Sequence, residues 1–176
     1  PERKAIVADY DEVQTISAQA AYLMSDILHS ATSNNYFMSQ LWPQVSYSIY
    51  GKTGTSDWGD SGVDHGIPEG AIRDEWMVNY SGNYVVVTWE GFNGFDYVSN
   101  ELLLQNIPGR VNRILFDTLA ANVEDMGTVQ NPGGISTISH VKGKYPYAAP
   151  PEGMAKDMIT SGMIRTDKAK LETLSA

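Results

Sequence analysis

One short run, Gly51-Lys52-Thr53-Gly54-Thr55, concentrates the residues that could do chemistry. A lysine cation and two hydroxyls on one strand can hold a substrate carboxylate through charge-assisted hydrogen bonds. A glycine beside them lets a substrate backbone lie close to the strand. Because side chains alternate along a strand, Thr53 and Thr55 are predicted to share one face, with Lys52 on the other unless the strand twists or bulges.

The same run contains Gly-Lys-Thr, which also ends the phosphate-loop pattern G-x-x-x-x-G-K-[ST]. That pattern needs glycine at position 46, where this chain has Ser46. The run is also predicted to lie on a strand with no helix after it, so a nest of backbone N–H groups would not form. The sequence therefore argues against nucleotide binding.

Two elements are predicted to lead into the run at 51–55. Apolar residues recur at helical spacing from Ile16 to Ala31, and Thr15 or Ser17 could serve as the N-cap. Alternation from Gln44 to Tyr50 predicts a strand that continues into the run.

The segments after the run predict a loop and a β-hairpin. Residues 56–72 carry four glycines and a proline without periodicity, which predicts a long loop. Residues 75–80 and 84–89 are aromatic and β-branched, and Ser81-Gly82-Asn83 between them supplies a turn. We expect Trp76 and Trp89 to be core residues or cross-strand partners, and Tyr80 and Tyr84 to form a packing pair.

A second helix and a Gly/Pro-rich tail are predicted beyond the hairpin. Helical spacing from Ile107 to Val123, with Pro108 at its start, predicts a helix that packs on the hairpin. Beyond Asp125 the chain is rich in Gly and Pro, with one alternating piece from Ile135 to Val141.

Composition restricts the classes of function. The chain has 176 residues, with 12 Lys+Arg against 21 Asp+Glu and a net charge of −9. That balance argues against nucleic acid and anionic membrane surfaces as partners. Cysteine is absent, which excludes disulfides, thiolate zinc sites and a cysteine nucleophile. The chain begins with Pro1, so we expect it to be a piece of a longer protein.

Lys-Thr-Gly is also an element of serine enzymes that act on β-lactams and D-alanyl-D-alanine peptides. The order of the helix AYLMSDILHSA, the strand GKTGT and a hairpin from Asp74 to Phe92 resembles the C-terminal half of the transpeptidase domain of penicillin-binding proteins, most of all the class A type. The resemblance covers about residues 16–123. Met77 and Asn79 stand where the family usually has Phe and Gly, and Glu90 lies within Trp-x-Gly.

The resemblance implies an α+β fold, shared with serine β-lactamases, in which helices flank an antiparallel sheet. Residues 1–123 would supply its last three strands and C-terminal helix, and 124–176 a tail extension. Lys52 would serve the proton network, and the hydroxyls of Thr53 and Thr55 would hold the terminal carboxylate of the stem peptide. The Thr55 N–H would be an oxyanion-hole donor, Gly54 would give clearance, and Trp58 would cap the cleft or pin its loop.

The family's nucleophile lies in Ser-x-x-Lys, followed by Ser-x-Asn, and both precede Lys-Thr-Gly. Here the Ser-x-x-Lys match, Ser139 to Lys142, follows it in a segment of strand character, which argues against an activated serine. The Ser-x-Asn matches at Ser33 and Ser81 are predicted to be loop and turn residues. An upstream half is therefore expected as a partner, beside peptidoglycan stem peptides and β-lactams.

The implied location is the extracytoplasmic face of a bacterial cell membrane, with a membrane-anchored parent protein. Two other functions stay open, a serine β-lactamase-like hydrolase and a noncatalytic binding module with the same fold. No cofactor is expected. No metal site is expected either, because His29, His65 and His140 lack zinc spacing, and the acidic residues of loop 56–72 do not match a calcium loop.

Overall fold

The computed structural model describes residues 13–33, 37–99, 106–167 and 172–173. They belong to two compact units, one of residues 22–131 and one made of the residues before 22 and after 131. The division of the chain at residues 123 and 124, which comes from the resemblance, stays a prediction.

Both predicted long helices are present. Helix α1 spans Ala18–Ser33 and begins after Ser17, whose hydroxyl oxygen accepts the Ala20 N–H at 3.2 Å and caps the helix. A six-residue helix, α2, spans Gly59–Asp64. Helix α3 spans Ile107–Asn122 with Pro108 in its first turn, where a missing N–H costs nothing.

The main sheet has three antiparallel strands in the order β1 (Tyr50–Asp57), β2 (Ile72–Tyr80) and β3 (Val85–Gly91). The run at 51–55 lies within β1, as predicted. The β2–β3 hairpin is also confirmed, and the Ser81 N–H donates to the Tyr84 carbonyl at 2.9 Å to close it. Helix α3 contacts β2 and β3, so the predicted packing on the hairpin is confirmed.

The predicted strand from Gln44 to Tyr50 was wrong before its last residue. Gln44 has φ 54, in the left-handed region, which interrupts an extended backbone. The segment instead brings Ile49 into a core cluster against α3, with Val45 and Tyr47 packed against that cluster. The buried members of that cluster are Trp42, Ile49, Phe116 and Met126.

The long-loop prediction for residues 56–72 was also wrong in part. Both ends of the segment belong to strands, and α2 lies inside it. Apolar burial explains the order, because Trp58, Ile67 and Ala71 form a second buried cluster against Phe92 and Tyr97.

Of the two predicted aromatic pairs of the hairpin, the tryptophan pair is confirmed as cross-strand partners and the tyrosine pair was wrong. Trp76 and Trp89 are cross-strand partners with ring centroids 6.1 Å apart, but each is 43% exposed and neither is core. Tyr80 does not pair with Tyr84; it stacks on its β1 register partner Tyr50 at 5.0 Å. Tyr84 packs on the Trp42 cluster instead, because it lies outside the hairpin register.

The smaller unit contains short strand pairs. Strand β4 (Ile135–Val141), at the predicted alternating piece, is antiparallel to β6 (Ile159–Arg165). Strand β5 (Ala148–Ala149) is parallel to β7 (Glu172–Thr173). Strand β6 escaped sequence analysis because its run ITSGMIR has a central glycine and no clear alternation.

The architecture is α+β with antiparallel sheets and helices, as the sequence predicted. Across the described ranges, no helix combines the length and the apolar content needed to span a bilayer.

Candidate functional site

The run at 51–55 lies on an outer strand of the main sheet. Strand β1 pairs with β2 on one side, and no described strand pairs with its other side. Lys52 is opposite Val78, Gly54 is opposite Trp76, and Thr55 is opposite Glu75. Directly opposite side chains share a face, so Thr53 and Thr55 project to one face and Lys52 to the other, as the alternation predicted.

The Lys52 ammonium nevertheless reaches back to the threonine beside it. Its Nζ donates to the Thr53 carbonyl at 2.8 Å and lies 3.4 Å from the Thr53 hydroxyl oxygen. The long lysine stem is exposed and bridges the two faces without a bulge at this position. A cation and a hydroxyl therefore meet on this outer strand of the sheet.

The two glycines of the run have different surroundings. A Cβ at Gly51 would collide with the Asn79 side-chain amide and lie 2.9 Å from the Val78 carbonyl oxygen. A Cβ at Gly54 would have Trp76 Cβ at 3.4 Å as its nearest neighbour, an ordinary contact. Gly51 is thus fixed by internal packing, whereas the fold alone does not require glycine at position 54.

A buried cluster of two side-chain amides, Asn79 and Asn112, lies against the sheet that contains β1. Asn79 and Asn112 are each 0% exposed. The Asn112 amide nitrogen donates to the Asn79 side-chain oxygen at 2.9 Å and to the Met77 carbonyl at 3.1 Å, and its oxygen accepts the Thr88 hydroxyl at 2.6 Å. The Asn79 amide donates in turn to the Tyr50 carbonyl at 3.4 Å. These bonds connect α3 with all three strands.

Asp74 accepts hydrogen bonds near the C-terminal end of the run at 51–55. It accepts the Ser56 hydroxyl at 2.6 Å and the Trp89 indole N–H at 2.9 Å, and Arg73 lies 3.7 Å away. The Ser56 hydrogen bond is the main cause of the lowered pKa of Asp74, with smaller contributions from Trp89 and Arg73. The carboxylate therefore joins the end of β1 to β2 and β3.

Two glutamates form a carboxylate pair next to Thr55. Glu75 and Glu90 are directly opposite on β2 and β3, on the face that also carries Thr55. One oxygen of each is shielded from solvent and has no hydrogen-bond partner. Burial raises the pKa of both groups, and the charge of Glu90 raises the pKa of Glu75 further.

Trp58 lies next to the strand but is only 8% exposed. Its indole N–H is 3.4 Å from the Ile72 carbonyl, and its ring packs near Phe92 and Phe95. The same residue lines a cavity of about 480 Å³ beside the end of β1, whose carboxylates are Asp57, Asp60, Asp64 and Glu69. This placement favours the interpretation in which Trp58 pins the loop.

The alternative serine candidates lie apart from this strand in sequence and differ from it in setting. Ser139 lies within β4 opposite Ser161, whereas Lys142 lies in the turn after β4 ends at Val141. Ser81 is a turn residue whose hydroxyl oxygen accepts the N–H of Tyr84 at 3.2 Å. Asn34 and Asn35 of the match at Ser33 lie outside the described residues.

Comparisons with known proteins support a distant relationship to penicillin-binding proteins. No protein-family model matches the chain. Penicillin-binding protein 1A/1B of Bacillus subtilis (strain 168) is 26% identical over 148 residues, which is 83% of this chain and 15% of that protein. The chain is therefore a distant relative of a penicillin-binding protein and spans about 15% of its length.

Sequence reasoning missed the carboxylate pair, the amide cluster and the role of Asp74. The pair could have been found, because a hairpin that pairs Trp76 with Trp89 must also pair Glu75 with Glu90. The amide cluster carried no such signal, because Asn112 reaches the sheet from a helix distant in sequence.

Proposed function

We propose that the chain is the C-terminal part of a peptidoglycan D,D-transpeptidase, which cross-links stem peptides by serine acyl transfer. The observation that carries this proposal is the position of 51–55 along the free edge of β1. An extended peptide can add to such an edge through backbone hydrogen bonds. The distant relationship to a penicillin-binding protein supports the same assignment.

In the proposed reaction, an upstream serine attacks the D-alanyl-D-alanine carbonyl and releases the terminal D-alanine. An amine of a neighbouring stem peptide then attacks the acyl-enzyme and regenerates the serine. Lys52 would hold the proton network near the leaving group, and the Thr53 and Thr55 hydroxyls would bind the terminal carboxylate. The hydrogen bond from the Lys52 ammonium to the Thr53 carbonyl at 2.8 Å supports a role for this cation beside Thr53.

The backbone of Thr55 is assigned to the oxyanion hole. In a strand, the N–H and C=O of one residue point to the same side, and the side alternates with each residue. We assign the outward side to Thr53 and Thr55, because the Thr53 carbonyl is the one that accepts the exposed Lys52 ammonium. The Thr55 N–H would then point at the developing negative charge.

An upstream half of the same protein would complete the site. The sheet face that carries Gly54 has exposed apolar side chains on the hairpin, Trp76, Val85, Val87 and Trp89. A contiguous apolar surface of this kind is typical of an interface. The upstream half would cover it and supply Ser-x-x-Lys and Ser-x-Asn. The parent protein would act outside the cytoplasmic membrane and be anchored to it.

Intact mass spectrometry with penicillin tests this function. The chain alone should gain no mass, and the polypeptide of the complete reading frame should gain one penicillin on a serine upstream of Pro1. Acylation of the chain itself, or none of the complete polypeptide, would reject the proposal. Rapid turnover of the penicillin would identify a β-lactamase instead.

Substitutions at the edge strand test the assigned roles in the complete polypeptide. Lys52→Met should slow acylation about 100-fold, the usual effect of losing a preorganised electrostatic group. Thr55→Val should weaken penicillin binding, whereas Thr55→Ser should retain most of it because the hydroxyl remains. Acylation at the wild-type rate in all three variants would show that the run at 51–55 is not part of the active site.

A further inference from the structure

The smaller unit carries a surface row of three rings. The His140 ring lies over Gly162 on β6, where a Cβ would come 3.3 Å from His140 Nε2. The Tyr147 ring is 4.6 Å from His140, and the Tyr145 ring meets Tyr147 edge-on at 5.8 Å. We name His140, Tyr145 and Tyr147 the aromatic row. Because Gly162 has no side chain, the His140 ring can lie over it, and the aromatic row therefore begins on the β4–β6 sheet.

The aromatic row is open to solvent. Tyr145 is 83% exposed and Tyr147 is 39% exposed. Aromatic rings bury large apolar areas when they can, so contiguous exposed rings indicate a binding surface. Tyrosine suits a ligand with an apolar face and polar edges, because its ring is apolar and its hydroxyl hydrogen-bonds.

Positive charge borders the aromatic row in an otherwise acidic chain. Lys142 and Lys144 lie on the same turn, are exposed, and form no salt bridge with any described residue. The smaller unit, residues 1–21 and 132–176, has eight Lys or Arg against eight Asp or Glu, a net charge of 0, whereas residues 22–131 have four against 13, a net charge of −9. An anionic ligand is therefore favoured at this turn and disfavoured on the larger unit.

We propose that the aromatic row, with Lys142 and Lys144, binds a glycan strand whose sugars carry carboxylates. The apolar C–H face of a pyranose ring packs on a tyrosine ring, and each carboxylate accepts hydrogen bonds from a lysine ammonium. This inference rests on the proposed function, because the proposed substrate makes cell-wall glycan the carbohydrate within reach. The site would bind peptide-free stretches of the strand, because a lactyl carboxylate that carries a stem peptide is a neutral amide. The run at 51–55 would act on peptides elsewhere along the same polymer.

Isothermal titration of the chain with peptide-free glycan strands tests the proposal. The ligands are strands with free lactyl carboxylates and a neutral N-acetylglucosamine oligomer of equal length. The chain should bind the carboxylated strand more tightly. Tyr145→Ala should weaken binding about tenfold, as expected for loss of an aromatic anchor, and Tyr145→Phe should retain affinity.

The role of the two lysines is tested with a double variant and a matched control. Lys142→Ala with Lys144→Ala should abolish the preference for the carboxylated strand. Arg110→Ala, which removes an exposed cation from the larger unit, should leave it unchanged. Equal binding of the neutral oligomer, no binding of either glycan, or no loss in Tyr145→Ala would overturn the proposal.

The titration does not depend on acylation, so its outcome is independent of the proposed transpeptidase activity. Glycan binding without penicillin acylation of the complete polypeptide would reject only the proposed function. Acylation without glycan binding would reject only the aromatic row as a glycan site. Circular dichroism of each variant confirms that a loss of affinity does not reflect unfolding.

Discussion

Two polar clusters on one face of the β2–β3 hairpin differ in whether their buried polar atoms have hydrogen-bond partners. At one end, Asn79 and Asn112 are fully buried and joined to each other and to Thr88 by hydrogen bonds. At the other end, Glu75 and Glu90 each bury an oxygen that has no partner. The first cluster is satisfied and the second is not.

The difference follows from the chemistry of the side chains. An amide both donates and accepts, so two amides can pair with each other and with neighbouring carbonyls. Two ionised carboxylates only accept, so neither can satisfy the other, and their charges repel across the strands. The amide cluster therefore stabilises the hairpin against α3, whereas the carboxylate pair lowers its stability when ionised.

The largest expected effect comes from breaking the amide cluster. Asn112→Ala leaves the Thr88 hydroxyl and the Asn79 oxygen without their buried partner, so we expect a loss of about 3 kcal/mol in the free energy of unfolding. Urea denaturation measures it. Asn122→Ala is the matched control on the same helix, since the exposed Asn122 bonds only the Thr118 carbonyl among described residues. Equal losses in both variants would contradict a special role for the cluster.

Gly51→Ala attacks the same cluster from β1. The new methyl group collides with the Asn79 amide and approaches the Val78 carbonyl, so we expect a loss of about 2 kcal/mol. The cost should fall in an Asn79→Ala background, which a double-mutant cycle measures.

Gly54→Ala is the control for Gly51→Ala, because its methyl group meets Trp76 at an ordinary distance. It should cost under about 1 kcal/mol in stability. It should still slow penicillin acylation of the complete polypeptide, because it fills the proposed clearance. A stability loss as large as that of Gly51→Ala would show that both glycines are structural.

Asp74→Asn removes a carboxylate that, unlike the glutamate pair, is satisfied. We expect a loss of about 1 kcal/mol at pH 7, from weaker bonds to Ser56 and Trp89. The native pKa lies below its ordinary value of 3.8, so the contribution is present above that value and disappears as pH falls through the native pKa. Thermal unfolding at several pH values should show the gap closing in acid, with the exposed Asp96→Asn as control.

Glu90→Gln should have the opposite sign. Removing one charge of the pair should raise stability by about 1 kcal/mol at pH 7. The native pKa of Glu90 is above its ordinary value of 4.5, so the penalty is absent below that value and develops as pH rises through the native pKa. The exposed Glu69→Gln serves as control. A loss of stability at pH 7 would contradict the destabilising role of the carboxylate pair.

Local patterns in the sequence predicted the elements that depend on neighbours along the chain. The helix from Ile16, the helix from Ile107 and the hairpin each follow from spacing that any such segment would show. The predicted strand before Tyr50 was wrong because the alternating apolar side chains of Val45, Tyr47 and Ile49 can pack on a core from an irregular segment as well as from a strand. Alternation alone does not distinguish the two.

The sequence by itself determined the run at 51–55, its place on a strand and the distant resemblance to a family of acyl-transfer enzymes. Tertiary structure alone decided that this strand lies at the edge of a sheet, that Lys52 bends back to Thr53, and that Asn112 supports the strands beneath. The reason is physical. Side-chain type and periodicity are properties of a chain segment, but edges, burial and cross-element hydrogen bonds arise only when segments distant in sequence pack together.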